Sequence, residues 1–212
     1  MSRARLIPSI LLGLLAAIPL ANADGGGAPP AKLGTVAFAN SCGPAAQSSF
    51  ERGVALLHSF WFTEGERAFR EALDSDPTCA IATWGIATIL IGNTFGVGPS
   101  PVDAQRAQEA IDRGRTIGAK NQRERDYIEA IAAYYDHFAE RSQGARMRSL
   151  SDAFEALAAR YSDDDETQIF DALYLTASQS LADKTYTRAL KAASILEPQF
   201  AKHPDHPGVG TI

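Results

Sequence analysis

From Gln47 to Cys79 the chain alternates apolar and polar residues with a helical period. Phe50, Val54, Leu57 and Trp61 form one stripe, and Ala68, Phe69, Ala72 and Leu73 a second. Between the stripes, Thr63-Glu64-Gly65-Glu66 has capping-box spacing, which predicts two helices joined at Thr63. Asp76-Pro77 closes the pair, because proline is tolerated in a first helical turn and Asp76 can accept from the amides that such a turn leaves unpaired. Leu56, Phe60 and Phe62 lie off the first stripe, and a helix that is apolar on more than one side must be covered on more than one side. One hairpin cannot supply that cover, so the pattern predicts further helices stacked on it.

The rest of the chain continues the pattern. Cys79 to Ile91 reads as a strongly apolar helix in which Gly85, beside Trp84, lets another helix come close. The stretch GNTFGVGPSP, residues 92–101, breaks the period with glycine and proline. It follows a helix rather than a strand and lacks a Gly-Lys-Ser/Thr ending, so it reads as a long turn and not as a phosphate loop. Ser100 with Asp103 starts a fourth helix that runs to Thr116, and Asn121 with Glu124 starts a fifth that carries Tyr127, Ile128, Ile131, Tyr134, Tyr135 and Phe138. The charges Arg123 to Asp126 read as the solvated first turn of that helix. A sixth helix is expected from Gly144 to Arg160, a seventh from Thr167 to Leu181, and an eighth from Lys184 toward Phe200 with Pro198 bending or shortening it. Asp163-Asp164-Asp165-Glu166 lacks the central glycine and the spread of oxygens over about 12 residues that a calcium loop needs. These four acids read instead as caps and dipole partners of the seventh helix.

The amino end changes the picture. Arg3 and Arg5, an apolar run from Leu6 to Leu20 broken by Pro8 and Pro19, and Ala21-Asn22-Ala23 have the form of a secretory signal peptide cleaved after Ala23. The run is too short for a retained membrane span, which takes about 20 apolar residues. Residues 24–35 read as a flexible leader of Gly, Pro and Ala, and order is expected to begin near Val36 to Cys42. The whole chain has 212 residues, 45% of them hydrophobic, and a net charge of -5, which becomes -7 without Arg3 and Arg5. That acidity argues against a nucleic-acid surface. The expected product is periplasmic or secreted.

Gly53, Leu56, Gly65, Phe69, Ala72 and Pro77 stand at the spacings of a tetratricopeptide repeat (TPR), and the Gln47–Cys79 hairpin resembles one such repeat. Four longer phrases widen the likeness: LLHSFWF from Leu56, DPTCAIATWGIA from Asp76, ERDYIEAIAAYY from Glu124 and ILEPQFAKHPDHPGV from Ile195. Together they resemble a family of exported bacterial TPR-domain proteins of largely unassigned function, over residues 36–209. The resemblance implies an all-α, TPR-like right-handed superhelix of about eight helices in antiparallel pairs, and it brings no reaction with it. It also implies a protein or peptide partner, held in a groove lined by Phe50, Val54, Leu57 and His58, the alternative being that neighbouring repeats bury these side chains. The family continues beyond HPDHPGV into a further helix where this chain has only GTI, so the chain is expected to be truncated or frameshifted. The alternative is an end face, carrying Phe170, Leu173, Tyr174, Leu190, Ile195 and Leu196, that associates with a second copy.

Candidate chemistry is sparse. His58, His203 and His206 are the only candidates for a metal site, with His58 as the distant third ligand, and a metal-dependent enzyme built on these histidines is the alternative to a binding scaffold. The Pro-rich HPDHP segment reads more simply as a turn. No catalytic set assembles from local spacing, and no cofactor is expected. Cys42 precedes the first helix and Cys79 opens the third. Stacked repeats set such ends side by side, and in an exported chain the two are expected to form a disulfide.

Overall fold

The computed structural model describes residues 32–180 and 182–210. The expected signal peptide and most of the expected leader lie outside them, and from Leu33 onward the chain forms one compact unit. Among the described residues there are eight helices and no strand. They are α1 (Pro44–His58), α2 (Phe62–Ser75), α3 (Ile81–Ile89), α4 (Pro101–Ile117), α5 (Gln122–Tyr135), α6 (Gln143–Arg160), α7 (Asp165–Ala177) and α8 (Thr187–Lys202). Each helix packs on its successor, and α3 also touches α1 and α5. None is long and apolar enough to cross a membrane.

The α1–α2–α3 contact is built around one ring. A Cβ at Gly53 on α1 would stand 2.8 Å from the Phe69 ring, and one at Gly85 on α3 would stand 2.4 Å from it. Phe69 on α2 therefore fills the space that two glycines leave on the helices either side. Beyond it runs a chain of edge-on aromatic contacts, the arrangement that ring quadrupoles favour. Trp84 lies 5.1 Å from Tyr127 and 5.2 Å from Phe170, and Tyr127 lies 5.7 Å from Phe154. Trp84 is thus the hub that joins α3, α5 and α7.

Three helix starts follow the side chains expected to cap them. Ser100 accepts from the Asp103 amide, Asn121 from the Glu124 amide, and Asp164 from the Thr167 amide. Two starts differ from expectation. The capping-box spacing at Thr63 is not used: α2 begins at Phe62, Trp61 gives it no side-chain cap, and Phe60 turns the chain in the left-handed region at φ 58°. Asp76 does not cap α3, which starts only at Ile81; it accepts from the Thr78 amide and hydroxyl and from the Gly43 amide at the head of α1. Pro198 lies within α8 without ending it.

Cys42 and Cys79 are disulfide-bonded beside that Asp76 clasp, pinning the head of α1 to the turn before α3. Of the residues expected on an open end face, Phe170, Leu173, Tyr174 and Leu196 are buried, Ile195 is partly so and Leu190 is exposed.

Candidate functional site

A cleft of about 840 Å³ lies between three segments: the extended residues 35–39, the turn from α6 into α7, and the stretch after α8. The extended segment alternates, as backbone of period two must. Val36 and Phe38 are buried, Phe38 against Phe50, Trp84 and Tyr127, while Thr35, Ala37 and Ala39 face the cleft. The Thr35 amide donates to the Asp205 carbonyl at 3.1 Å, which joins two walls of the cleft.

Arg123 forms the junction of all this with α5. Its guanidinium lies over the rings of Phe38 and Tyr127, 4.5 and 4.7 Å from their centroids, and donates to the Ala39 carbonyl at 2.7 Å and to the Asp164 carboxylate. Burial acts to lower its pKa, yet Asp164 outweighs that and raises it, so the cation is permanent. Asp164 also accepts from Thr167 Oγ1 at 2.5 Å, and Thr167 Oγ1 meets the Tyr127 hydroxyl at 2.6 Å. The expectation of a solvated first turn in α5 is therefore corrected: Arg123 and Asp126 are largely covered, and Glu124 is fully buried.

The acidic run at the head of α7 sends successive carboxylates to different partners. Asp164 takes Arg123; Asp165 takes His203 Nε2 at 2.8 Å and Lys202 Nζ at 3.0 Å; Glu166 takes His206 Nε2 at 2.7 Å. Burial acts to raise the Asp165 carboxyl, but the hydrogen bonds from His203 and Lys202 hold it at about 2. Glu166 is almost wholly buried, and its second oxygen lies 3.5 Å from His58 Nε2, itself buried at the end of α1. Burial acts to raise this carboxyl too, and the two neighbouring rings outweigh it, so Glu166 is ionised. Burial pushes the His58 ring below its usual range against the pull of Glu166, which leaves it neutral at neutral pH. His58 stacks on Phe170 at 4.5 Å and meets the His206 ring edge-on at 5.1 Å.

Of the three candidate metal-ligating histidines, the structure thus brings His58 and His206 together and sends His203 elsewhere. The third member of the cluster is Glu166, and the three ligand atoms lie within 4.8 Å of one another. Glu166 and His206 line the cleft and His58 lies behind them. The sequence marks His58 and His206 as candidates, and the only trace of Glu166 is an acidic run longer than a helix cap requires. The expected groove is a different matter. Phe50, Val54, Leu57 and His58 are all buried by other parts of the same chain, Phe50 by Phe38 and Phe69, His58 by Phe170, and they present no face to a partner. Stripes that hold neighbouring helices together and stripes that line a groove have the same period, and here packing takes them all.

No protein-family profile matches the chain, and no curated protein or solved structure shows significant similarity to it.

Proposed function

We propose that the chain is an exported TPR-like helical-repeat protein that holds an extended peptide of a partner protein in the cleft beside residues 35–39. The repeat reading is supported by the succession of packed helix pairs, by the contacts of α3 with α1 and α5, and by the way Gly53, Phe69 and Ala72 serve the packing that the repeat pattern encodes. Export is supported by the Cys42–Cys79 disulfide, which suits an oxidising compartment, together with the amino-terminal sequence.

The observation that carries the binding reading is the extended segment on the cleft wall. Neither Val36 nor Ala37 makes a backbone–backbone hydrogen bond among the described residues; neighbouring residues of an extended segment turn their amides and carbonyls to opposite edges, so one of the two can pair with a second extended strand in the cleft. Small side chains at Ala37 and Ala39 leave room for it, and Arg160, Lys202 and Asp163 at the rim offer charge of both signs. The His58–Glu166–His206 cluster behind the cleft favours a second reading, in which the same opening admits a ligand to a bound metal ion.

Peptide display against the purified mature chain tests the first reading. Selected peptides are expected to lose binding at least tenfold to an Ala37→Trp variant whose circular dichroism is unchanged. A failure to select any peptide, or selection insensitive to Ala37→Trp, removes the cleft as the binding site.

A further inference from the structure

His58, Glu166 and His206 come from the end of α1, the first turn of α7 and the stretch after α8, and all three side chains are nine-tenths buried or more. Burying two imidazoles and a carboxylate is costly unless every polar atom finds a partner. Here two do not. His58 Nε2 and Glu166 Oε2 lack any hydrogen bond and face each other across 3.5 Å.

That distance is long for a hydrogen bond between nitrogen and oxygen. It matches another geometry: two ligand atoms on one tetrahedral zinc, with bonds of about 2.1 Å, stand about 3.4 Å apart. We propose that His58, Glu166 and His206 form a binding site for a divalent first-row transition ion, zinc foremost, with its remaining coordination position open to the cleft. Two imidazole nitrogens and a carboxylate are a donor set that such ions take, and an open fourth position is the form of a site that admits water or the carboxylate of a ligand. The site does not rest on the peptide reading, since an ion can load with the cleft empty.

Loading requires one local change. His206 Nδ1 accepts the Gly208 amide at 3.0 Å, so its ring proton sits on Nε2 and is donated to Glu166. An ion takes the place of that proton, which moves to Nδ1, and the Gly208 amide must then turn away. The turn deprives a buried amide of its acceptor, and the bonds to the ion must outweigh that loss.

The full exported chain, stripped with a chelator and dialysed, is titrated calorimetrically with zinc chloride, and with cobalt(II) for its visible absorption. Stoichiometric zinc uptake is expected, with a tetrahedral cobalt spectrum. Glu166→Gln and His206→Ala should each weaken zinc binding by about 100-fold or more. His203→Ala, which alters an exposed ring held by Asp165, should leave it unchanged. Should the two site variants fail to fold, X-ray absorption of the zinc-loaded parent decides: imidazole scattering from two rings supports the site, and a shell without imidazole overturns it. Absence of stoichiometric uptake, or uptake lost in His203→Ala and kept in Glu166→Gln, also overturns it. None of these outcomes bears on peptide capture, which is measured separately by the Ala37→Trp comparison.

Discussion

Glu124, fully buried at the first turn of α5, accepts both the backbone amide and the hydroxyl of Ser41, at 2.6 and 2.8 Å. The Asn121 side-chain amide donates to the same carboxylate at 2.8 Å, so one acid anchors the segment that leads into α1 and steadies the cap of its own helix. Glu124→Ala removes the shared acceptor of these part-buried donors and should cost about 1–3 kcal/mol. The check is the urea midpoint, read alongside Ser41→Ala. A loss no larger than that of Ser41→Ala would mean that solvent replaces the carboxylate.

The disulfide one residue further on closes a loop with a sequence separation of 37. Chain-entropy reasoning puts its contribution at about 4 kcal/mol. Thiol titration of the denatured, unreduced protein should find no free thiol, and the Cys42→Ser/Cys79→Ser double variant should unfold at lower denaturant by a corresponding amount. Two titratable thiols in the denatured, unreduced protein would refute the bridge.

The Phe69 ring between Gly53 and Gly85 yields a paired test. Gly85→Ala drives a methyl into the ring and should destabilise by about 1–3 kcal/mol, as overpacking does. Combining it with Phe69→Leu should cost less than the two single changes added together, because the smaller side chain makes room. Strict additivity would show that the helices move apart instead.

Asp171 is buried on α7 with Oδ1 unpartnered, and burial pushes its carboxyl up to about 6, although Lys191 and Arg188 pull the other way. Between about pH 4 and 6 the native carboxyl keeps a proton that the unfolded chain has lost, so stability falls as pH rises across that window and levels above it. The loss is about 2–3 kcal/mol for a shift of this size. Asp171→Asn cannot ionise, so its melting temperature should match the parent's near pH 4 and exceed it at pH 7. Parallel curves over this range would show that the carboxylate is solvated.

Apart from the Cys42–Cys79 pairing, what could be read from the sequence was local. Ser100 and Asn121 mark helix starts because a cap acts over three residues, and Gly85 beside Trp84 announces a close approach because only a missing Cβ permits one. The capping-box spacing at Thr63 misleads because the left-handed turn at Phe60 and the apolar anchors Phe62 and Phe69 set where α2 begins. His58 and His206 stand out in the sequence as ligand candidates, but Glu166 does not, for a physical reason. An acid in the first turn of a helix is explained by the dipole alone, and nothing near Glu166 in sequence shows that His58 and His206 come to it from either side. Arg123 and Glu124 likewise read as solvated, since what covers them comes from Phe38, Ala39 and Ser41, too short a stretch to reveal a period.

The bond from the Thr35 amide to the Asp205 carbonyl has a consequence for how the molecule comes apart. An open stack of repeats loosens from its outermost member inward, and its amides exchange with solvent in a gradient along the array. Here the segment before α1 is fastened to the segment after α8, and the Gly34 turn that permits it, at φ +77°, brings the chain so close that a Cβ would stand 2.1 Å from the Asp205 oxygen. Neither flank can fray without releasing the other. Amide exchange in α1 and α8 is therefore expected to follow a shared opening event, which correlated protection of the two helices would check.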